Sequence, residues 1–187
     1  MTGMTSTGVA LTINNLNSVD ATLGVVWPAL VRKTLQSSSA AAAQATLQHS
    51  PIGSGRHYIV ADDKEAFGIE TSGTKKKVIF HAKEQSATYF HTNHCVDPEM
   101  APTAKILPGS TTVQRYETLK LRVEQGRVPH SAREMFDAFK DVGLTEKPGD
   151  PDSVSTCGAI VMDLHSKKVL ACQGIPGPEV TPFEVTL

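Results

Sequence analysis

The sequence predicts an α+β fold made mostly of antiparallel sheets. Strand-like and helix-like segments come in separate runs rather than alternating, which disfavours a parallel doubly wound sheet. Neither G-x-G-x-x-G nor G-x-x-x-x-G-K-[ST] occurs, so phosphate-cradling loops of those types have no support. With 187 residues, 40% of them hydrophobic, the chain has enough apolar material for one ordinary core, so a single domain over 1–187 is expected.

Each element rests on its own pattern. In 8–16, Val9, Leu11 and Ile13 alternate with smaller or polar residues, giving a strand closed by Asn14 and Asn15. Trp27–Leu35 spaces Leu30, Val31 and Leu35 helically, and Pro28 is tolerated in the first turn. The run 37–48 reads as a loop and then an alanine-rich helix with Ser38 or Ser39 as its N-cap. The strands 57–61 and 66–71 flank a turn containing Asp62 and Asp63. A third strand is expected at 76–83 and a fourth at 88–94, followed by an irregular connector with three prolines.

The helix at 110–126 is given Ser110 as cap and Val113, Tyr116, Leu119, Leu121 and Val123 as its apolar side. Ser131 with Glu134 forms a capping box for a helix over 130–143, which presents Met135, Phe136 and Phe139 on one face and stops at Gly143. After a loop at 147–152, the segments 155–164 and 167–174 form a hairpin, and 182–187 a last strand.

The formal net charge is −1, which argues against nucleic acid and against a polybasic membrane anchor as partners. No stretch approaches the ~18 apolar residues of a membrane helix, so no membrane partner is expected. The first 17 residues contain no Lys or Arg and do not read as a secretory signal. Cys95, Cys157 and Cys172 make no C-x-x-C pair and are odd in number; a reducing, cytoplasmic location is expected, with Cys157 and Cys172 reduced and buried.

The densest chemistry lies in Phe90-His91-Thr92-Asn93-His94-Cys95. Four readings compete. His91 and His94 as metal ligands would point to opposite faces of a strand, so no metal site is expected. Cys95 with His94 as nucleophile and base has the same geometric defect. A polar cluster satisfied by loop backbone is the plain structural reading. In the last, Asn93 aims its amide at a developing oxyanion. The residues alone leave these last two level.

Several motifs, in order, resemble the penicillin-type acyltransferase family (peptidase family C45), which includes acyl-CoA:isopenicillin N acyltransferase. They are Ser6 to Leu11 followed by Asn14-Asn15-Leu16, the Trp27–Leu35 helix, Ala66 to Glu70, His91-Thr92-Asn93-His94, Ser110 with Arg115-Tyr116, and Ala159 to Asp163. The resemblance implies an N-terminal-nucleophile hydrolase with a four-layer αββα sandwich and a cysteine whose own α-amino group is its base. It also implies no cofactor, a small-molecule acyl donor (acyl-CoA or an amide) and an amine acceptor. A peroxisomal location is known in the family, but no targeting tripeptide ends this chain.

By the same resemblance Asn93 is the catalytic oxyanion donor, and Asn14 or Asn15, with His91 and His94, line the substrate site. The family's nucleophilic Cys and following Asp lie upstream of the strand that begins here, and its Arg ahead of Ala159 has no counterpart nearer than Lys147. The expectation is therefore an N-terminally incomplete domain, inactive alone and prone to self-association. The alternative is a non-catalytic, diverged fragment that is structural or binds a ligand.

Other residues carry milder expectations. Arg32 and Arg115 are surface or interlayer ion pairs, Lys75-Lys76-Lys77 a solvated strand edge, and Trp27 a core residue.

Overall fold

The computed structural model describes residues 2–83, 87–144 and 154–187. The expected loop at 147–152, with Lys147, lies outside them. The fold is α+β with four helices and two antiparallel sheets, and the chain divides into two compact units, Met1–Tyr116 and Glu117–Leu187.

The first unit contains β1 (Gly3–Met4), β2 (Ala10–Asn15), α1 (Trp27–Thr34), α2 (Ala40–His49), β3 (Arg56–Ala61), β4 (Glu65–Thr71) and β5 (Lys76–Lys83). Its sheet has the order β1-β2-β3-β4-β5. One face packs on the two helices: Val9, Leu11, Tyr58, Val60, Phe67 and Ile69 meet Leu30 and Val31 of α1 and Ala40, Ala43 and Leu47 of α2. Each large apolar side chain buried here contributes ~1.5–3 kcal/mol. The small alanines let α2 approach the sheet closely, and Trp27 is half-buried at the margin of this core.

Ser39 is the N-cap of α2, accepting from Ala42 N at 3.2 Å. Asp62 does more than turn the chain. Its carboxylate accepts from Lys64 N and Glu65 N within the turn and from Ala40 N at the start of α2, at 2.7 Å.

The lysine run is not simply a solvated edge. The Lys76 ammonium donates to Gln48 O and Ser50 O at the C-terminal end of α2, a favourable place for a cation. Lys77 pairs with Asp97 at 3.1 Å and Glu99 at 2.9 Å.

No strand forms at 88–94, contrary to expectation. The segment is held on the second face of the sheet by side chains instead of by a ladder, as described below. The helix α3 (Thr112–Glu124) follows. Ser110 Oγ accepts from Thr112 N at 3.4 Å, in keeping with a capping role. The expected apolar stripe of α3 is not buried: Thr112 is its one buried residue, and Val113 and Leu121 are exposed.

The second unit contains α4 (Ala132–Ala138) and a sheet of order β6-β7-β8, formed by Gly158–Asp163, Lys168–Gln173 and Phe183–Thr186. Phe136 of α4 packs on Val161 and Leu170. Met135 and Phe139, expected beside it, are exposed; at Phe139 the chain tightens into a 3-10 turn, Phe139–Val142, and loses the helical spacing. Ser131 caps Glu134 N at 3.1 Å, while the Glu134 carboxylate reaches His130 N at 2.8 Å, one residue beyond the usual capping-box donor. Cys157 precedes β6 and is exposed, which corrects its expected burial; Cys172 is half-buried, and all three cysteines are free.

Candidate functional site

The sheet register brings four polar residues into one cross-strand row. Asn14 faces His57, His57 faces Glu70, and Glu70 faces Lys77. The last match depends on an irregularity between Gly68 and Ile69: the register of Phe67 with His81 and Gly68 with Phe80 would otherwise bring Val78 opposite Glu70. Alternation puts the row on the face away from α1 and α2.

Segment 91–97 lies along this row, and each member of the row holds it. Asn14 Nδ2 donates to His91 O at 3.0 Å and to Thr92 O at 2.8 Å. The His57 ring stacks on the His91 ring, centroids 3.6 Å apart. Glu70 Oε1 meets His91 Nε2 at 2.9 Å and accepts from Val96 N at 2.6 Å. Lys77 binds Asp97.

The side chains of His91 and Glu70 are wholly buried. The second His91 nitrogen, Nδ1, lies 2.7 Å from Thr92 O, so both ring nitrogens meet oxygen atoms. His57 is different: burial, and then the charge of His91, holds it well below the usual imidazole range, and it bonds the Tyr89 hydroxyl at 2.8 Å through Nε2. Tyr89 itself is pushed above the usual phenol range by burial and by Glu70. Its ring covers Gly68, where any Cβ would lie 2.6 Å from it, and stacks on Phe80 with centroids 4.3 Å apart.

Asn93 therefore sits on a short stretch clamped at both ends. Its main-chain N donates to Thr112 Oγ1 at 2.7 Å. Its Oδ1 accepts from Arg115 at 2.9 Å, and its Nδ2 donates to Asn15 O at 3.2 Å. Among the described residues the second N–H of that amide has no partner, so it is free to donate to a ligand. Asn15 in turn accepts from Arg56 at 2.6 Å through Oδ1, and Arg56 lies over the Trp27 ring at 5.7 Å.

Of the sequence candidates, Asn93 and Asn15 are brought into direct contact, and Asn14 and His91 form the support beneath them. His94 joins a different group, with Nδ1 3.1 Å from Thr92 Oγ1 and 3.0 Å from Thr112 Oγ1. Among the described residues no group of three or more His, Cys, Asp or Glu could hold a metal ion. Burial, then the charge of Glu70 and a hydrogen bond to it, with the charges of Asp97 and Asp20, push the Cys95 thiol up to about 12, which disfavours its thiolate. Arg115 is not in an ion pair, since no carboxylate among the described residues lies within pairing distance of it.

The motif order on this scaffold agrees with a family comparison. The model of a family described as acyl-coenzyme A:6-aminopenicillanic acid acyl-transferase matches residues 1–177. The chain belongs to this acyltransferase family. No curated protein matches the chain. Within this acyltransferase chain, the sequence reading missed Glu70, His57, Lys77 and Thr112. The signal was present in three of them: each is a polar residue inside an otherwise apolar strand, and the hairpin registers align them. Thr112 gave no such signal. Among the described residues no helix is long and apolar enough to cross a membrane.

Proposed function

We propose that the Asn93 region forms the oxyanion-binding side of a cysteine N-terminal-nucleophile site, in which an acyl group passes from a thioester or amide to an amine or water. The observation that carries this reading is the fixed Asn93 amide, which keeps one N–H unspent at the surface of a clamped segment. Preorganised neutral donors of this kind favour the tetrahedral oxyanion over the ground-state carbonyl. Membership in the acyltransferase family supports the same chemistry.

In this reading a cysteine thiol, deprotonated by its own α-amino group, attacks the acyl carbonyl. Charge develops on the carbonyl oxygen and is met by the free Asn93 N–H. Collapse expels the thiol or amine, which takes up the proton, and the acyl-enzyme is then attacked by the acceptor amine or water. Asn15 holds the Asn93 amide through its carbonyl, while Asn14 and His91 hold the segment; His94 packs beside it against Tyr116. The complete domain is proposed to be the four-layer αββα sandwich of these hydrolases.

The nucleophile must be a cysteine at a chain N-terminus. Cys95, Cys157 and Cys172 are internal and have no α-amino group. We expect residues 1–187 alone to give no thioester or amide turnover, and a co-expressed or fused segment ending in a free N-terminal cysteine to restore it. In that active form Asn93→Ala should lower turnover by ~10²–10³. An unchanged rate would remove Asn93 from the mechanism. Thiol-sensitive turnover by the 187 residues alone would move the nucleophile to Cys95. The suppressed Cys95 thiol favours, as a second reading, a ligand-binding module without chemistry; failure of every cysteine-bearing segment to restore turnover would select it.

A further inference from the structure

We infer that Arg115 is the positioning residue of this site, fixing the orientation of the Asn93 amide and strengthening its N–H as a donor. The inference rests on reading Asn93 as the oxyanion donor. Its physical content is separable from that reading.

The orientation argument is one of hydrogen-bond chemistry. An amide side chain can flip end for end when its neighbours are hydroxyls or water, which both donate and accept. Neither neighbour of Asn93 has that freedom. A guanidinium can only donate, so the atom 2.9 Å from Arg115 must be the oxygen. A main-chain carbonyl can only accept, so the atom 3.2 Å from Asn15 O must be the nitrogen. Both ends specify the same orientation. The NH₂ is thereby kept on the Asn15 side, with one hydrogen to spare.

The polarisation argument concerns charge. Arg115 is half-buried, and its side-chain partners among the described residues are neutral: Asn93 Oδ1 and, from Nε, Thr111 Oγ1 at 3.3 Å. With no carboxylate among the described residues within pairing distance, its field acts on the amide it touches. A cation on the amide oxygen draws electron density from nitrogen and stabilises negative charge near the N–H, as charged hydrogen bonds do generally. Burial has already removed part of the guanidinium's hydration, which lowers its own pKa and reduces the screening of its field. Arg115 would not touch the substrate in this arrangement; it acts through Asn93.

Base-catalysed hydrogen exchange tests this directly. Exchange of a carboxamide N–H proceeds by loss of the proton to hydroxide, leaving an imidate anion, so its rate reports the acidity of that N–H. The Asn93 NH₂ resonances are assigned by their disappearance in Asn93→Asp, and exchange is followed by NMR in the 187-residue chain. Arg115→Gln retains a donor to Oδ1 but removes the charge. It is expected to slow Asn93 exchange by about tenfold, the equivalent of one pKa unit, while Arg115→Lys stays close to wild type. A merely structural role predicts the opposite sign, because a loosened segment exchanges faster. Unchanged or faster exchange in Arg115→Gln overturns the inference, and Arg115→Met gives the same comparison if the Gln variant does not fold. The outcome is independent of turnover: loss of the oxyanion reading would leave the exchange result standing, and the reverse is equally true.

Discussion

Removing the Glu70 carboxylate should be among the most damaging single changes in the first unit. Glu70 is wholly buried, and one of its oxygens serves two donors, His91 Nε2 at 2.9 Å and Val96 N at 2.6 Å. Hydrogen bonds to a charged group contribute ~1.5–3 kcal/mol each. Deleting both, and leaving the buried His91 ring and Val96 N without their acceptor, gives an expected cost for Glu70→Ala of ~3–5 kcal/mol. Glu70→Gln can keep the one oxygen that serves both donors and removes only the charge, and should cost roughly half as much. The chain has a single tryptophan, and Trp27 packs at the edge of the first unit's core, so its fluorescence during urea unfolding reports that unit specifically. A double-mutant cycle completes the test: once Glu70 is Ala, His91→Ala should cost far less than in the wild type, because the two act as a pair. A loss below about 1 kcal/mol for Glu70→Ala, or full additivity in the cycle, would refute the clamp.

Further outcomes follow from the same neighbourhood. His57 is held neutral in the folded protein and takes a proton below the usual 6.5 when unfolded, so its contribution is complete above that pH and is lost as the pH falls, with a slope approaching ~1.4 kcal/mol per unit. The urea midpoint of His57→Gln should therefore depend less on pH between about 7.5 and 5 than that of wild type, and parallel profiles would contradict this. Gly68→Ala forces a Cβ to 2.6 Å from the Tyr89 ring, and should cost ~1–3 kcal/mol in wild type but little in a Tyr89→Ala background, read by the same fluorescence assay. A thiol reagent should react first with exposed Cys157 and slowest with Cys95, whose thiol is raised to about 12; loss of the fast phase in Cys157→Ser is the expected sign, and rapid labelling of Cys95 would count against the burial described.

Much of the sheet was legible because alternation is a local property. The strands at 76–83 and 66–71 and the Ser39 cap follow from patterns a few residues long. The strand expected at 88–94 failed for a nonlocal reason. Its residues have strand-like alternation, but the polar row offers side-chain partners instead of a ladder. Apolar spacing in α3 misled for a similar reason: Val113 and Leu121 have helical periodicity without a surface to bury them. For the candidate site, Asn93 stood out because several polar types crowd together in one short run. Arg115 was read as an ion-pair residue because its true partner, a neutral amide 22 residues away, is not suggested by charge. Glu70 was read only as the end of a strand, and its buried pairing with His91 becomes visible only after two hairpins are registered.

The cross-strand row also bears on the order in which the molecule assembles. Its members are contributed by β2, β3, β4 and β5, and they grip a segment that follows all four strands in the chain. A slip of one residue in any strand turns its member of the row toward the helices and withdraws one grip. The segment carrying Asn93 can therefore settle only on a sheet whose pairings are all correct. During synthesis it is the last part of the first sheet's contacts to become available, so a mispaired sheet and a clamped Asn93 amide should not coexist. Native-state exchange would then find 91–97 opening before the strands beneath it, as a separate unit of lower stability.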